Sequence, residues 1–172
     1  MDTLEIKDSP TWSEVEQKIT NEIIWLDKTI STFGKKEPAR FAVTCKRCLL
    51  REIAILIITG AVQAKEINLK PPGVSFWLPT ESAKRVYHGR DWHSNKMVEI
   101  ESHFRHLGFT VVREPYLSLG RADLGVYMDG AMPLFIEVGT TSIFKLLTNL
   151  KSIKNAKILL VPSDTKIIEF EM

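Results

Sequence analysis

The chain has 172 residues, 44% of them hydrophobic, enough to bury a good core as one domain or as two small ones. No run of about eighteen apolar residues occurs, and Leu49 to Val62 is interrupted by Arg51, Glu52 and Gly60, so neither a membrane-spanning helix nor a signal peptide is supported and a cytoplasmic protein is expected. A net charge of +2 is too small to identify a nucleic-acid partner by itself, but its distribution is uneven.

In chain order, TWSEVEQKITNEIIWLDKTIS opens with a capping pattern, Thr11 or Ser13 followed by Glu14 and Glu16. It carries Val15, Ile19, Ile23 and Leu26 on one helical face. A Gly-Lys-Lys-Glu-Pro loop follows, and Ala42 to Ile58 reads as one or two helices ending near Thr59-Gly60. Seven basic residues fall between Lys28 and Arg51, against Asp27 just before them and Glu37 among them. Lys46, Arg47 and Arg51 from this stretch are candidate phosphate contacts, and a solvated charged face is the alternative. Cys45 and Cys48 form half of a zinc site at a helical spacing that suits neither zinc nor a disulfide well; His88 and His93 are the residues able to complete it.

Pro71-Pro72-Gly73 is a firm break, after which VSFWLPT is strand-like and ESAKRVYHGR is a candidate short helix. Over residues 12 to 88 this order resembles a winged helix-turn-helix domain, which implies a DNA-binding module at residues 1–90 and a second domain at 91–172. The segment from WLPTESAKRV to RHLGF is also similar to replication-relaxation type proteins of plasmids and mobile elements. That likeness implies DNA handling in replication, mobilisation or repair, with DNA as partner.

Beyond residue 90, Met97, Ile100, Phe104 and Leu107 recur at helical spacing and Gly108 supplies the stop. FTVVRE is strand-like, and two further strand-like runs flank Asp129-Gly130, a hairpin turn signal. Asp123 and Glu137 each lie seven residues from Gly130, so antiparallel pairing about that turn sets the two acids opposite one another on one sheet face. Like charges in that position repel, and a hard cation held by oxygen ligands is a common remedy. A helix with Ile143, Leu146, Leu147 and Leu150 on one face and a buried strand KILLV complete an αβββαβ order.

This order, with Asp123 on one strand and Glu137-Val138-Gly139 at the end of the next, resembles the PD-(D/E)xK nuclease superfamily. The likeness implies an α/β fold with a restriction-endonuclease-like core, and hydrolysis of nucleic-acid phosphodiesters with Mg²⁺ or Mn²⁺. Gly139 stands where the motif has lysine; Lys145, on the next helix, is the candidate replacement. The resemblance makes Asp123, Glu137 and the Val138 carbonyl the metal ligands and Lys145 the group that orients water or offsets charge on the phosphate. The acid expected from the preceding helix, as a further catalytic metal ligand, is Glu101, which a step of about 100° per residue places nearer the apolar face than Glu99. Arg121, with Arg113 and Glu114, flanks the same strands and either positions the nucleic-acid backbone or joins local ion pairs. A homodimer suits enzymes that cut two strands. A catalytically inactive nuclease-like DNA-binding or regulatory protein is the alternative.

Overall fold

The computed structural model describes residues 10–30, 46–67, 69, 90–139, 141–162 and 166–171. The strand expected at 74–80, the helix expected at 81–90 apart from its last residue, the Gly-Lys-Lys-Glu-Pro loop, Cys45 and His88 lie outside them. Helix α1 (Trp12–Thr29) begins at Thr11, which closes a reciprocal cap: its hydroxyl accepts from the Glu14 amide at 3.3 Å, and its own amide donates to Glu14 Oε2 at 2.7 Å. Helix α2 (Lys46–Ile58) buries Leu49, Leu50, Ile53 and Ala54.

A six-stranded mixed sheet organises the rest. In chain order its strands are β1 (Gln63–Ile67), β2 (Thr110–Arg113), β3 (Leu124–Tyr127), β4 (Leu134–Val138), β5 (Lys157–Val161) and β6 (Ile167–Glu171), arranged β1-β6-β5-β4-β3-β2 across the sheet. Helix α3 (Arg90–His106) precedes β2, and α4 (Ile143–Ser152) makes the crossover between β4 and β5, which run parallel while the other neighbours are antiparallel. From α3 to β5 the element order is αβββαβ.

Period-two alternation sends side chains of β4, β5 and β6 to two different cores. Leu124, Val126, Ile136, Val138, Leu159 and Val161 pack with Met97, Ile100 and Phe104 of α3. Ile158, Leu160, Ile168 and Phe170 pack with α4 and also with Ile19 and Leu26 of α1 and Leu49 and Ile53 of α2. Burying an aliphatic side chain as fully as Leu26 or Ile53, both 0% exposed, contributes about 1.5–3 kcal/mol. The described helices before residue 90 are therefore half of a shared core, and β1 extends the same sheet along β6. The apolar stripe of α1 is covered by α2 and by the layer that includes α4. No helix among the described residues is long and apolar enough to cross a membrane.

Candidate acidic site

The turn at Asp129-Gly130 sets the geometry. Gly130 has φ +78°, a left-handed conformation that glycine adopts without steric cost. The strands pair Val126 with Leu134, Gly125 with Phe135 and Leu124 with Ile136. One step further in that register Asp123 faces Glu137. Asp123 is tied there twice, its amide donating to the Ile136 carbonyl at 3.0 Å and its Oδ2 accepting from the Val138 amide at 2.7 Å. Since Leu124, Ile136 and Val138 face α3, alternation turns Asp123 and Glu137 toward the side that α4 covers.

Lys145 comes from that side. The Ser142 hydroxyl caps α4 by accepting from the Lys145 amide at 3.1 Å, fixing the residue in the first turn. From there the ammonium lies 2.6 Å from Glu137 Oε1 and also donates to the Arg121 carbonyl. Glu137 is only 8% exposed, and burial pushes its carboxyl up to about 7. The charge and hydrogen bond of Lys145 pull it down, and Asp123 pushes it up again.

Gly139 explains why no lysine stands at the motif position. It has φ +82°, a backbone conformation in which a lysine would be strained. The ammonium arrives from α4 instead.

Helix α3 brings a histidine to the pair. His93 Nε2 lies 3.4 Å from Asp123 Oδ1. Glu101 is not brought there. It sits eight residues further along α3 than His93, about 12 Å by helical rise, and it is held by Arg105 at 2.8 Å and Arg113 at 2.7 Å. The Arg113 hydrogen bond, with that of Arg105, keeps its carboxyl below the ordinary range against some desolvation. Glu99 pairs with Lys96 at 2.6 Å. His93 is foreshadowed in the sequence: with Met97, Ile100 and Phe104 it forms an i, i+4, i+7, i+11 series, the core stripe continued one turn earlier.

The basic candidates separate in the same way. Lys46 is ion-paired with Asp27, and Arg51 with Glu16 at 2.6 Å, so both clip α2 to α1; Arg47 is exposed. Arg121 lies beside the acids and pairs with Glu114 at 3.2 Å. Cys48 is exposed on α2, while His93 sits at Asp123.

Among the described residues no group of three or more His, Cys, Asp or Glu side chains is arranged to hold a metal ion. The donor set nevertheless fits a hard cation of the magnesium type, which keeps several waters and takes one or two carboxylates. One oxygen of each acid is spent on Val138 N–H or Lys145, leaving Asp123 Oδ1, near His93, and Glu137 Oε2. Comparison of the chain with protein-family models, curated proteins and solved structures returned no match, so the chemistry of these side chains carries the functional assignment.

Proposed function

We propose that this chain hydrolyses nucleic-acid phosphodiester bonds, DNA first among them, at Asp123 and Glu137 on a restriction-endonuclease-like core. The observation that carries the proposal is the 2.6 Å contact of Lys145 with Glu137, which supplies from α4 the cation that Gly139 cannot. A carboxylate pair with a lysine at its edge is suited to reactions that build negative charge on oxygen.

Asp123 and Glu137, with the Val138 carbonyl, would hold Mg²⁺ or Mn²⁺. When bound, such an ion supplies Lewis acidity toward a phosphoryl oxygen and lowers the pKa of a bound water. Lys145 positions the attacking water and offsets charge on the equatorial oxygens. His93, with Nε2 3.4 Å from Asp123 Oδ1, is the side chain that α3 supplies beside the acids, where it orients the aspartate. Replication, mobilisation or repair of DNA is the setting that the sequence resemblance suggests.

The test is cleavage of single-stranded, duplex and branched substrates with Mg²⁺ and with Mn²⁺. Cutting that disappears in Asp123→Asn and in Glu137→Gln supports the proposal. Binding without cutting on every substrate would replace it with a nuclease-like binding protein.

A further inference from the structure

Beside the acids, the β2–β3 ladder ends at Arg113 opposite Leu124, and the chain continues into a small hairpin. Glu114 takes a left-handed φ of +51°, Tyr116 bridges antiparallel to Arg121, and the Leu117 amide donates to the Gly120 carbonyl at 3.0 Å. The hairpin is tied down at two points. Asn149 of α4, 1% exposed, accepts from the Leu119 amide at 2.9 Å and donates to the Leu119 carbonyl at 3.1 Å. Lys145 donates to the Arg121 carbonyl with the same ammonium that touches Glu137.

On this anchored frame Tyr116 is 76% exposed. The Arg121 guanidinium lies over its ring, 4.4 Å from the centroid, and also donates to its hydroxyl. One face of the ring is therefore covered by a cation and the other is open to water. Core packing does not account for so exposed an aromatic ring, whereas a base has the flat, polarisable face that fits the open side. Arg121 is already met by Glu114, which makes direct capture of a phosphate the weaker use of that guanidinium.

Resting on the hydrolase assignment, we propose that Tyr116, backed by Arg121, stacks on an unpaired base of the substrate and selects single-stranded nucleic acid next to the acidic site. Bases inside a duplex have both faces covered by their neighbours and offer none to Tyr116. Exposure alternates through exposed Arg121, buried Ala122 and half-exposed Asp123, and Arg121 stands two residues, about 7 Å of extended chain, before Asp123. The gripped base thus belongs to a nucleotide adjoining the bond to be cut.

The experiment measures binding by fluorescence anisotropy in chelator, with short labelled oligonucleotides that are single-stranded or duplex, as DNA and as RNA. Single strands are expected to bind about tenfold or more tightly than duplex of the same sequence, and Tyr116→Ala to erase most of that preference while Tyr116→Phe retains it. Comparison of the DNA and RNA arms identifies the sugar preferred. Equal loss on single strand and duplex, no loss in Tyr116→Ala, or no binding by the parent protein overturns the proposal. Tyr116-dependent binding without cleavage by the parent protein would reject the hydrolase assignment and keep the clamp. Cleavage with binding indifferent to Tyr116→Ala would reject the clamp alone.

Discussion

Lys145 of α4 and Glu137 of β4, eight positions apart in sequence, meet at 2.6 Å, while Gly139 stands where the resembled motif has its lysine. The α4 cap at Ser142 turns the lysine back over the strand end, so the cation is supplied by a helix turn rather than by the strand. Lys145→Ala is expected to fold and to lose cleavage by about 10²–10³-fold, the usual effect of removing one group that stabilises transition-state charge. Single-turnover rates measured beside thermal melts check this. Activity equal to the parent would remove Lys145 from the mechanism.

Burial raises Glu137 from an ordinary 4.5 to about 7, so the native state of the metal-free protein holds this proton more tightly than the unfolded chain. Between those two values the native state binds more protons, and stability falls as pH rises through the window, then levels off. A shift of that size corresponds to a loss on the order of 3 kcal/mol. Glu137→Gln cannot ionise. Urea denaturation without metal should therefore show the variant gaining on the parent between about pH 5 and pH 8. A gap independent of pH would mean that Glu137 titrates like an exposed acid.

Calorimetry with Mn²⁺ should reveal one site that Asp123→Asn abolishes, because a hard cation loses one of the two carboxylates that the described residues bring together there. Glu101→Gln should leave it intact, since that acid is engaged by Arg105 and Arg113. The reverse pattern would move the metal to the α3 side.

The contrast between these acids marks what the sequence reveals. Asp123 and Glu137 are legible because strand alternation and a turn dipeptide fix register locally, and Lys145 because a long stem eight residues on can reach back. Glu101 is placed with Arg105 and Arg113 instead, because a helical wheel gives the side of α3 that meets the sheet and not the turn that comes level with the acids, which is the turn of His93. The pairing of β1 with β6 is hidden for another reason: Gln63–Ile67 and Ile167–Glu171 are five-residue strands about a hundred positions apart, with no turn to link them. The stripe on α1 announces a buried face without naming its cover, which includes α2 and residues of α4, β5 and β6.

Lys46 and Arg51 are bound to acids of α1, so of the three candidate phosphate contacts on α2 Arg47 should contribute most to nucleic-acid affinity. Arg47→Ala is expected to reduce the slope of log K against log salt by about one. Arg51→Ala should leave that slope unchanged and lower the thermal midpoint slightly by releasing Glu16. Equal slope changes in both variants would show that Arg51 leaves its partner to meet phosphate.

Asn149 interrupts the apolar face of α4 between Leu146 and Leu150, and both ends of its amide are spent on Leu119. Asn149→Leu keeps the volume but strips the Leu119 N–H and C=O of their partner, which costs about 1–3 kcal/mol for buried groups. Asn149→Asp keeps an acceptor for the N–H yet sets a carboxylate against the carbonyl in a site 1% exposed, so it should be worse at neutral than at acid pH. In Asn149→Leu, amide exchange should quicken at Leu117 to Arg121 and the preference for single strands should weaken, because Tyr116 is carried by that hairpin. Mn²⁺ binding should be unchanged, since Asp123 and Glu137 are held by the strands. Loss of the metal together with the hairpin would show that loop and site fold as one unit, whereas unchanged exchange would mean that the Lys145 contact to Arg121 suffices to hold the loop.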